Sequence, residues 1–91
     1  MRYDLVLPDL GLGAQEIIVS LWLVRAGSEV SLGDRLIEVL ADGVTVDLPA
    51  PANGVLVEML VAEEQPISVG QTLGIIESPP DEATDDNEPA G

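Results

Sequence analysis

Several residue types that build functional sites are missing from this chain of 91 residues. It contains no cysteine, histidine, phenylalanine or lysine, so its three basic residues are all arginines. Without cysteine there is no disulfide and no thiolate ligand, and without histidine a transition-metal site would rest on carboxylates alone, which these metals disfavour. A catalytic triad built on histidine or cysteine is also excluded. These absences argue against an enzyme that acts on its own.

Long apolar segments are absent too. The first residues, Met1-Arg2-Tyr3-Asp4, lack the apolar run of a signal peptide. No stretch approaches the roughly 18–20 apolar residues that span a bilayer. We therefore expect neither secretion nor insertion into a membrane.

The charge is strongly one-sided, because 17 acidic residues face only Arg2, Arg25 and Arg35, which gives a formal net charge of −14. Such a chain repels nucleic acid phosphates and anionic lipid, so we expect no nucleic acid partner and no membrane partner. An acidic surface ordinarily serves solubility, and it would also suit a basic protein surface.

The composition changes after Ser78. Residues 79–91 contain no large apolar side chain and hold five of the acids. Such a segment cannot bury enough surface to offset its conformational entropy. We therefore expect one folded domain over residues 1–78, and a disordered tail or the start of a linker over residues 79–91.

The folded part reads as strands, because short runs of valine, leucine and isoleucine alternate with turn residues. Pro8, Pro49, Pro51 and Pro66, together with nine glycines, break every window long enough for a helix. The sequence therefore predicts an all-β fold. The expected strands cover about 3–8, 17–25, 35–41, 44–48, 54–62 and 72–77, with short pieces near 29–31 and 66–68.

The chain also contains an internal repeat. When it is shifted by 37 residues, the run 22–36 lies over the run 59–73 without a gap. The identical pairs are Leu23/Leu60, Val24/Val61, Ser31/Ser68, Gly33/Gly70 and Leu36/Leu73. Two such units should pack on one another with approximate two-fold symmetry, with Gly33 and Gly70 as equivalent turn residues at positive φ.

A hairpin is predicted between the two repeats. Two alternating β runs, 37–41 and 44–48, flank Asp42-Gly43, which is a strong signal for a two-residue type I′ turn. Both central residues of that turn need positive φ, which aspartate tolerates and glycine adopts freely. This tip is the most exposed point that we expect in the fold.

Several short motifs follow one another along the folded part with a specific combined spacing. They are Leu7-Pro8-Asp9-Leu10-Gly11, the runs 21–30 and 33–39, Pro49-Ala50-Pro51, Asn53-Gly54-Val55 and the run 69–76. Together these motifs resemble a known family, the lipoyl domains of dihydrolipoamide acyltransferases in 2-oxo acid dehydrogenase complexes. The resemblance covers residues 3–78.

The resemblance implies a flattened β-barrel or sandwich of two four-stranded sheets with internal pseudo-two-fold symmetry. In that family a lysine at the hairpin tip carries lipoic acid, which swings between a 2-oxo acid decarboxylase, the acyltransferase core and dihydrolipoamide dehydrogenase. It further implies a domain without catalytic residues that is monomeric when isolated. The expected location is the cytoplasm, or the mitochondrial matrix in a eukaryote.

The chain departs from the family at the carrier position. Where the family has a sequence such as E-T-D-K-A, this chain has Leu40-Ala41-Asp42-Gly43-Val44, so Gly43 stands where the lysine should be. Asp42 and Val44 flank it, and because neither is methionine the lipoyl branch fits better than the biotinyl branch. As written, the chain cannot be lipoylated or biotinylated on a side-chain amine, and lipoic acid is implied by the family alone.

Three explanations of Gly43 remain open. The chain is an altered form of a working carrier domain, a natural degenerate lipoyl domain kept for docking or as a spacer, or an interaction module that shares only the fold. A retained docking surface would include the loop from Asp9 to Glu16, with Asp42, Val44 and Thr45 at the tip. Against that, Asp42-Gly43 also makes a good turn whether or not anything recognises it. Trp22 is expected to be a packing residue.

Overall fold

A computed structural model describes residues 1–11, 13 and 16–79. Within these residues the chain forms eight β-strands and no helix, so no helix here could cross a membrane. The strands are β1 (Arg2–Val6), β2 (Ile17–Trp22), β3 (Glu29–Val30), β4 (Arg35–Ala41), β5 (Val44–Pro49), β6 (Gly54–Met59), β7 (Pro66–Ile67) and β8 (Thr72–Glu77). The predicted all-β class is confirmed. Apart from Pro79, the predicted disordered tail lies outside the described residues.

Two predicted strands, 17–25 and 54–62, are each three residues too long. Leu23 and Leu60 still donate their N–H groups to Leu36 and Leu73, both at 2.8 Å, but the chain then turns away. Each turn is closed by a backbone hydrogen bond to the residue three positions earlier. The Ser28 N–H donates to the Arg25 carbonyl, and the Gln65 N–H donates to the Ala62 carbonyl. Apolar residues continue beyond the last strand residue up to these turns, as Leu23-Val24 and Leu60-Val61, and for that reason the sequence pattern overestimated both strands.

The strands form two antiparallel four-stranded sheets. One has the order β1-β8-β6-β3 and the other has the order β5-β4-β2-β7. This is the predicted pair of four-stranded sheets. In each sheet the first three strands have five to seven residues and the last has only two, so the two sheets share one plan.

The core consists entirely of apolar side chains from both sheets, since no polar or charged residue is buried among the described residues. Trp22 belongs to it with 9% of its surface exposed, and its indole N–H donates to the carbonyl of Val61 at 2.9 Å. A buried indole needs such a partner. The prediction that Trp22 is a packing residue is confirmed. The largest fully buried side chains are Leu7, Leu36, Ile37, Leu56, Leu73, Ile76, Val19 and Val39.

The backbone bonds repeat with the 37-residue shift found in the sequence. The Gly27 N–H donates to the Leu56 carbonyl, and the Glu64 N–H donates to the Val19 carbonyl, both at 2.7 Å. The two donors are 37 residues apart, and so are the two acceptors. The ladder between β2 and β4 has an irregularity between Val19 and Leu21, and the ladder between β6 and β8 has one 37 residues later. Gly33 and Gly70 have φ of 90° and 89°. The predicted two-fold symmetry and the paired turn glycines are therefore confirmed.

The symmetry relates the central hairpin to the place where the two ends of the domain meet. It places β4 over β8 and β5 over β1, so the turn between β4 and β5 corresponds to the pairing of Met1 with Ser78. There the Ser78 N–H donates to the Met1 carbonyl and the Met1 ammonium donates to the Ser78 carbonyl, both at 2.7 Å. We call this pairing the chain-end junction.

Candidate functional site

The tip of the central hairpin is a two-residue turn. Ala41 pairs with Val44, which leaves Asp42 and Gly43 as the loop. Their φ angles are 49° and 87°, so both central residues are left-handed, as a type I′ turn requires. The predicted turn is therefore confirmed, and its conformation follows from the aspartate–glycine pair itself.

The tip of the hairpin is exposed to solvent. Asp42, Gly43, Val44 and Thr45 are all exposed. A Cβ added at Gly43 would meet no heavy atom within 4 Å. A side chain there would therefore be limited by the left-handed backbone and not by space.

The structure also connects the tip to the segment before β2. The Asp42 N–H donates to the Glu16 carbonyl, and the Glu16 N–H donates to Asp42 Oδ1, both at 3.3 Å. Asp42 thus does more than form the turn, because its side chain holds the neighbouring segment. The sequence carries no local signal for this contact, since the two residues are 26 positions apart.

The first predicted docking element, the loop from Asp9 to Glu16, is described at residues 9–11, 13 and 16. Asp9 Oδ1 accepts the N–H of Gly11 at 2.9 Å, so this aspartate shapes its own loop. Of the described residues of this loop, Glu16 is hydrogen-bonded to the tip. Val44 and Thr45 lie beside the tip on β5, as the hairpin prediction placed them.

The residues at the tip do not fit an amide-linked prosthetic group. Such a linkage needs a side-chain amine, Gly43 has no side chain, and the chain contains no lysine. No step through lipoic acid or biotin therefore follows from this site. The described residues also contain no group of three or more carboxylates, imidazoles or thiols placed to hold a metal ion.

An all-β sandwich with an internal two-fold axis and an exposed central hairpin is the architecture of a biotinyl/lipoyl-type domain. The biotin/lipoyl family, described as biotin-requiring enzyme, matches residues 4–76. The chain therefore belongs to that family.

Curated relatives are acyltransferase components. The chain is 35% identical over 79 residues to the dihydrolipoyllysine-residue acetyltransferase of the Bacillus subtilis pyruvate dehydrogenase complex, covering 87% of this chain and 18% of that protein. It is 33% identical over 76 residues to the corresponding Corynebacterium glutamicum acetyltransferase, covering 84% of this chain and 11% of that protein. It is 32% identical over 78 residues to the succinyltransferase component of the Bartonella vinsonii 2-oxoglutarate dehydrogenase complex, covering 86% of this chain and 19% of that protein. The chain thus spans less than a fifth of each of these relatives.

Solved structures show the same fold. The lipoyl domain of the Azotobacter vinelandii 2-oxoglutarate dehydrogenase complex superposes with a TM-score of 0.67 at 23% identity, covering 84% of this chain and 98% of that domain. A single-chain, multi-domain long-chain acyl-CoA carboxylase superposes with a TM-score of 0.70 at 19% identity, covering 86% of this chain and 7% of that one. At these identities the likeness concerns the fold alone.

Proposed function

We propose that this chain is the lipoyl-type domain of an acyltransferase component of a 2-oxo acid dehydrogenase complex, with Gly43 at the position of the carrier lysine. The carrying observation is the two-residue tip between β4 and β5. It presents an open, exposed position in the hairpin where the family attaches its group, and a glycine occupies it. The absence of lysine from all 91 residues means that no neighbour substitutes for it. The domain then displays the carrier hairpin without carrying a lipoyl group.

The partners are part of the same proposal, and they are supported by relatives that are named as components of pyruvate and 2-oxoglutarate dehydrogenase complexes. We propose that this hairpin meets the 2-oxo acid decarboxylase and the dihydrolipoamide dehydrogenase that the resemblance implies. We propose that the domain itself contributes no catalytic residue and that the isolated domain is a monomer. We place it in the cytoplasm, or in the mitochondrial matrix of a eukaryote.

The proposal is tested with a lipoate–protein ligase, lipoate and ATP, by measuring the intact mass of the chain. We expect the unaltered chain to keep its mass and Gly43→Lys to gain one lipoyl group, because the tip leaves an added side chain free to reach the ligase.

Gly70→Lys is the matched control, because both glycines are exposed turn residues with φ near 90° and no heavy atom within 4 Å of an added Cβ. It must stay unmodified. Equal modification of Gly70→Lys and Gly43→Lys would contradict the proposal, and so would an unmodified Gly43→Lys chain.

A second candidate function is a non-catalytic interaction or spacer module, and the paired bonds between Asp42 and Glu16 favour it. They hold the tip and the adjoining segment together although no group is attached. We expect this module to bind the decarboxylase component without modification. Val44→Asp should weaken that binding, whereas Val69→Asp, at a valine of similar exposure (55% against 49%), should not. Equal effects of the two changes, measured by calorimetric titration, would remove the interaction-module alternative.

A further inference from the structure

Exposed Asn53 and half-buried Gly54 lie at the start of β6, and Asn53 is bonded to two other segments. Asn53 Oδ1 accepts the N–H of Leu32 at 2.7 Å, and its backbone carbonyl accepts the hydroxyl of Ser78. Asn53 thereby joins the turn before β4 and the end of β8 to the start of β6. We call this group of contacts the Asn53 clasp.

The fold requires glycine after Asn53. A Cβ added at Gly54 would lie 2.9 Å from the carbonyl carbon of Glu77, closer still to its oxygen, and 3.0 Å from the Ile76 side chain. Asn53 is therefore followed by glycine, which has no side chain to hinder access to the Gly54 backbone nitrogen. This close approach imposes glycine at position 54, directly after the asparagine of the clasp.

We propose that Asn53 is a site of spontaneous covalent modification. The backbone nitrogen of Gly54 attacks Cγ of Asn53, the new N–C bond closes a five-membered succinimide, and Nδ2 leaves as ammonia with the proton that the Gly54 nitrogen gives up. Water then opens the ring at either carbonyl and yields aspartate or isoaspartate. Water is the only co-reactant.

The surroundings of Asn53 favour the attack. The Leu32 N–H points at Oδ1, where negative charge develops as Cγ becomes tetrahedral, and such a donor stabilises that charge. Among the described residues no hydrogen bond is made by Nδ2, so the leaving nitrogen is not held. Asn53 and Gly54 also line an open groove of about 1000 Å³, which admits water to the ring.

The sheet restrains the attack without preventing it. Gly54 pairs with Val30 of β3, so its N–H must leave the ladder before the nitrogen can react. β3 has only two residues and lies at the edge of its sheet, and short edge elements open locally without global unfolding. We therefore expect conversion in the folded chain, at a lower rate than in the unfolded chain.

Isoaspartate would break the clasp. It carries the main chain through the former side-chain carbons, which moves the acceptors of both Leu32 and Ser78. The end of β8 and the turn before β4 would then separate from β6, and the melting temperature would fall. None of this depends on the proposed carrier function, because Gly43 takes no part in the clasp.

The experiment is incubation of the full chain at mildly alkaline pH and 37 °C, with intact mass, peptide mapping and isoaspartyl methyltransferase labelling over time. We expect a gain of about 1 Da at residue 53, labelling of the same peptide, and faster conversion in urea than in buffer. Asn53→Gln is the control, since its longer side chain would have to close a six-membered ring, and it should remain unlabelled. Ser78→Ala removes one bond of the clasp and should speed conversion of the folded chain.

Two outcomes would overturn the inference. In one, residue 53 stays intact in the folded chain over a time in which the urea-unfolded chain converts fully. In the other, the mass gain maps to Asn87, the other asparagine of the chain, while Asn53 is unchanged.

Discussion

The hairpin tip and the chain-end junction occupy equivalent places in the two sheets, yet they are closed in different ways. At the junction, Met1 and Ser78 pair through two backbone bonds. At the tip, Asp42 and Gly43 turn the chain with two left-handed residues. The sheets need only a paired end at this position, and the pairing can be made with or without a turn. The symmetry therefore requires the paired end in both halves, whereas the turn belongs to one half alone.

The two halves also differ in how they fill the core. Trp22 pairs across its ladder with Ile37, and the equivalent Met59 pairs with Gly74. A Cβ added at Gly74 would lie 3.3 Å from the Trp22 ring. A large side chain in one half is thus matched by the smallest residue in the other, so the core is symmetric in backbone and asymmetric in volume.

The largest effect is expected from breaking this asymmetry. Trp22→Ala should lower the free energy of unfolding by about 3–5 kcal/mol, because it empties a buried site and leaves the Val61 carbonyl without its donor. Met59→Ala at the equivalent position should cost about 1 kcal/mol, because Met59 is already 37% exposed. Urea unfolding followed by circular dichroism compares them, and similar losses would contradict the assigned packing.

The symmetry itself predicts equal effects at the two turn glycines. Gly33→Ala and Gly70→Ala each force an alanine into a left-handed conformation, which costs about 1–2 kcal/mol. Neither new Cβ meets a neighbour, so the strain alone should appear. Thermal unfolding of both variants tests this, and a clear difference between them would show that the halves are not equivalent.

The stability of the domain should depend on how well the residue at position 43 tolerates a positive φ. Gly43→Lys should lower stability by about 1–2 kcal/mol, because lysine is strained at a φ of 87°. Gly43→Asn should cost less, since asparagine tolerates the left-handed region. Denaturant midpoints of the two variants give the comparison. If lysine were as well tolerated as asparagine, the tip would not be held as a type I′ turn.

The smallest effect is expected at the surface pair between Arg35 and Asp47, where Nη1 lies 3.2 Å from Oδ2. The equivalent positions in the other half are Thr72 and Asp4, so the symmetry does not require this pair. Because the Arg35 side chain is 74% exposed, Arg35→Gln should change stability by less than about 1 kcal/mol, and the change should vanish in high salt. A larger loss that persists in salt would give this pair a structural role.

Much of the fold could be predicted from local patterns. The alternating apolar residues predicted the positions of six strands. The 37-residue repeat predicted the two-fold axis, and Asp42-Gly43 predicted the tip and its backbone conformation. The ends of β2 and β6 could not be predicted, because Leu23 and Leu60 remain apolar where the chain turns. The contact between Asp42 and Glu16 and the Asn53 clasp also escaped prediction. Each joins residues more than 20 positions apart, so it exists only once the sheets have assembled.

The most direct measurement of the central claim is the intact mass of the unaltered chain after co-expression with both a lipoate ligase and a biotin ligase. We expect the mass given by the sequence alone, because Gly43 offers no amine at the tip and the chain contains no lysine elsewhere. A chain that acquires the mass of a lipoyl or biotinyl group would contradict the assignment of Gly43 as a vacant carrier position.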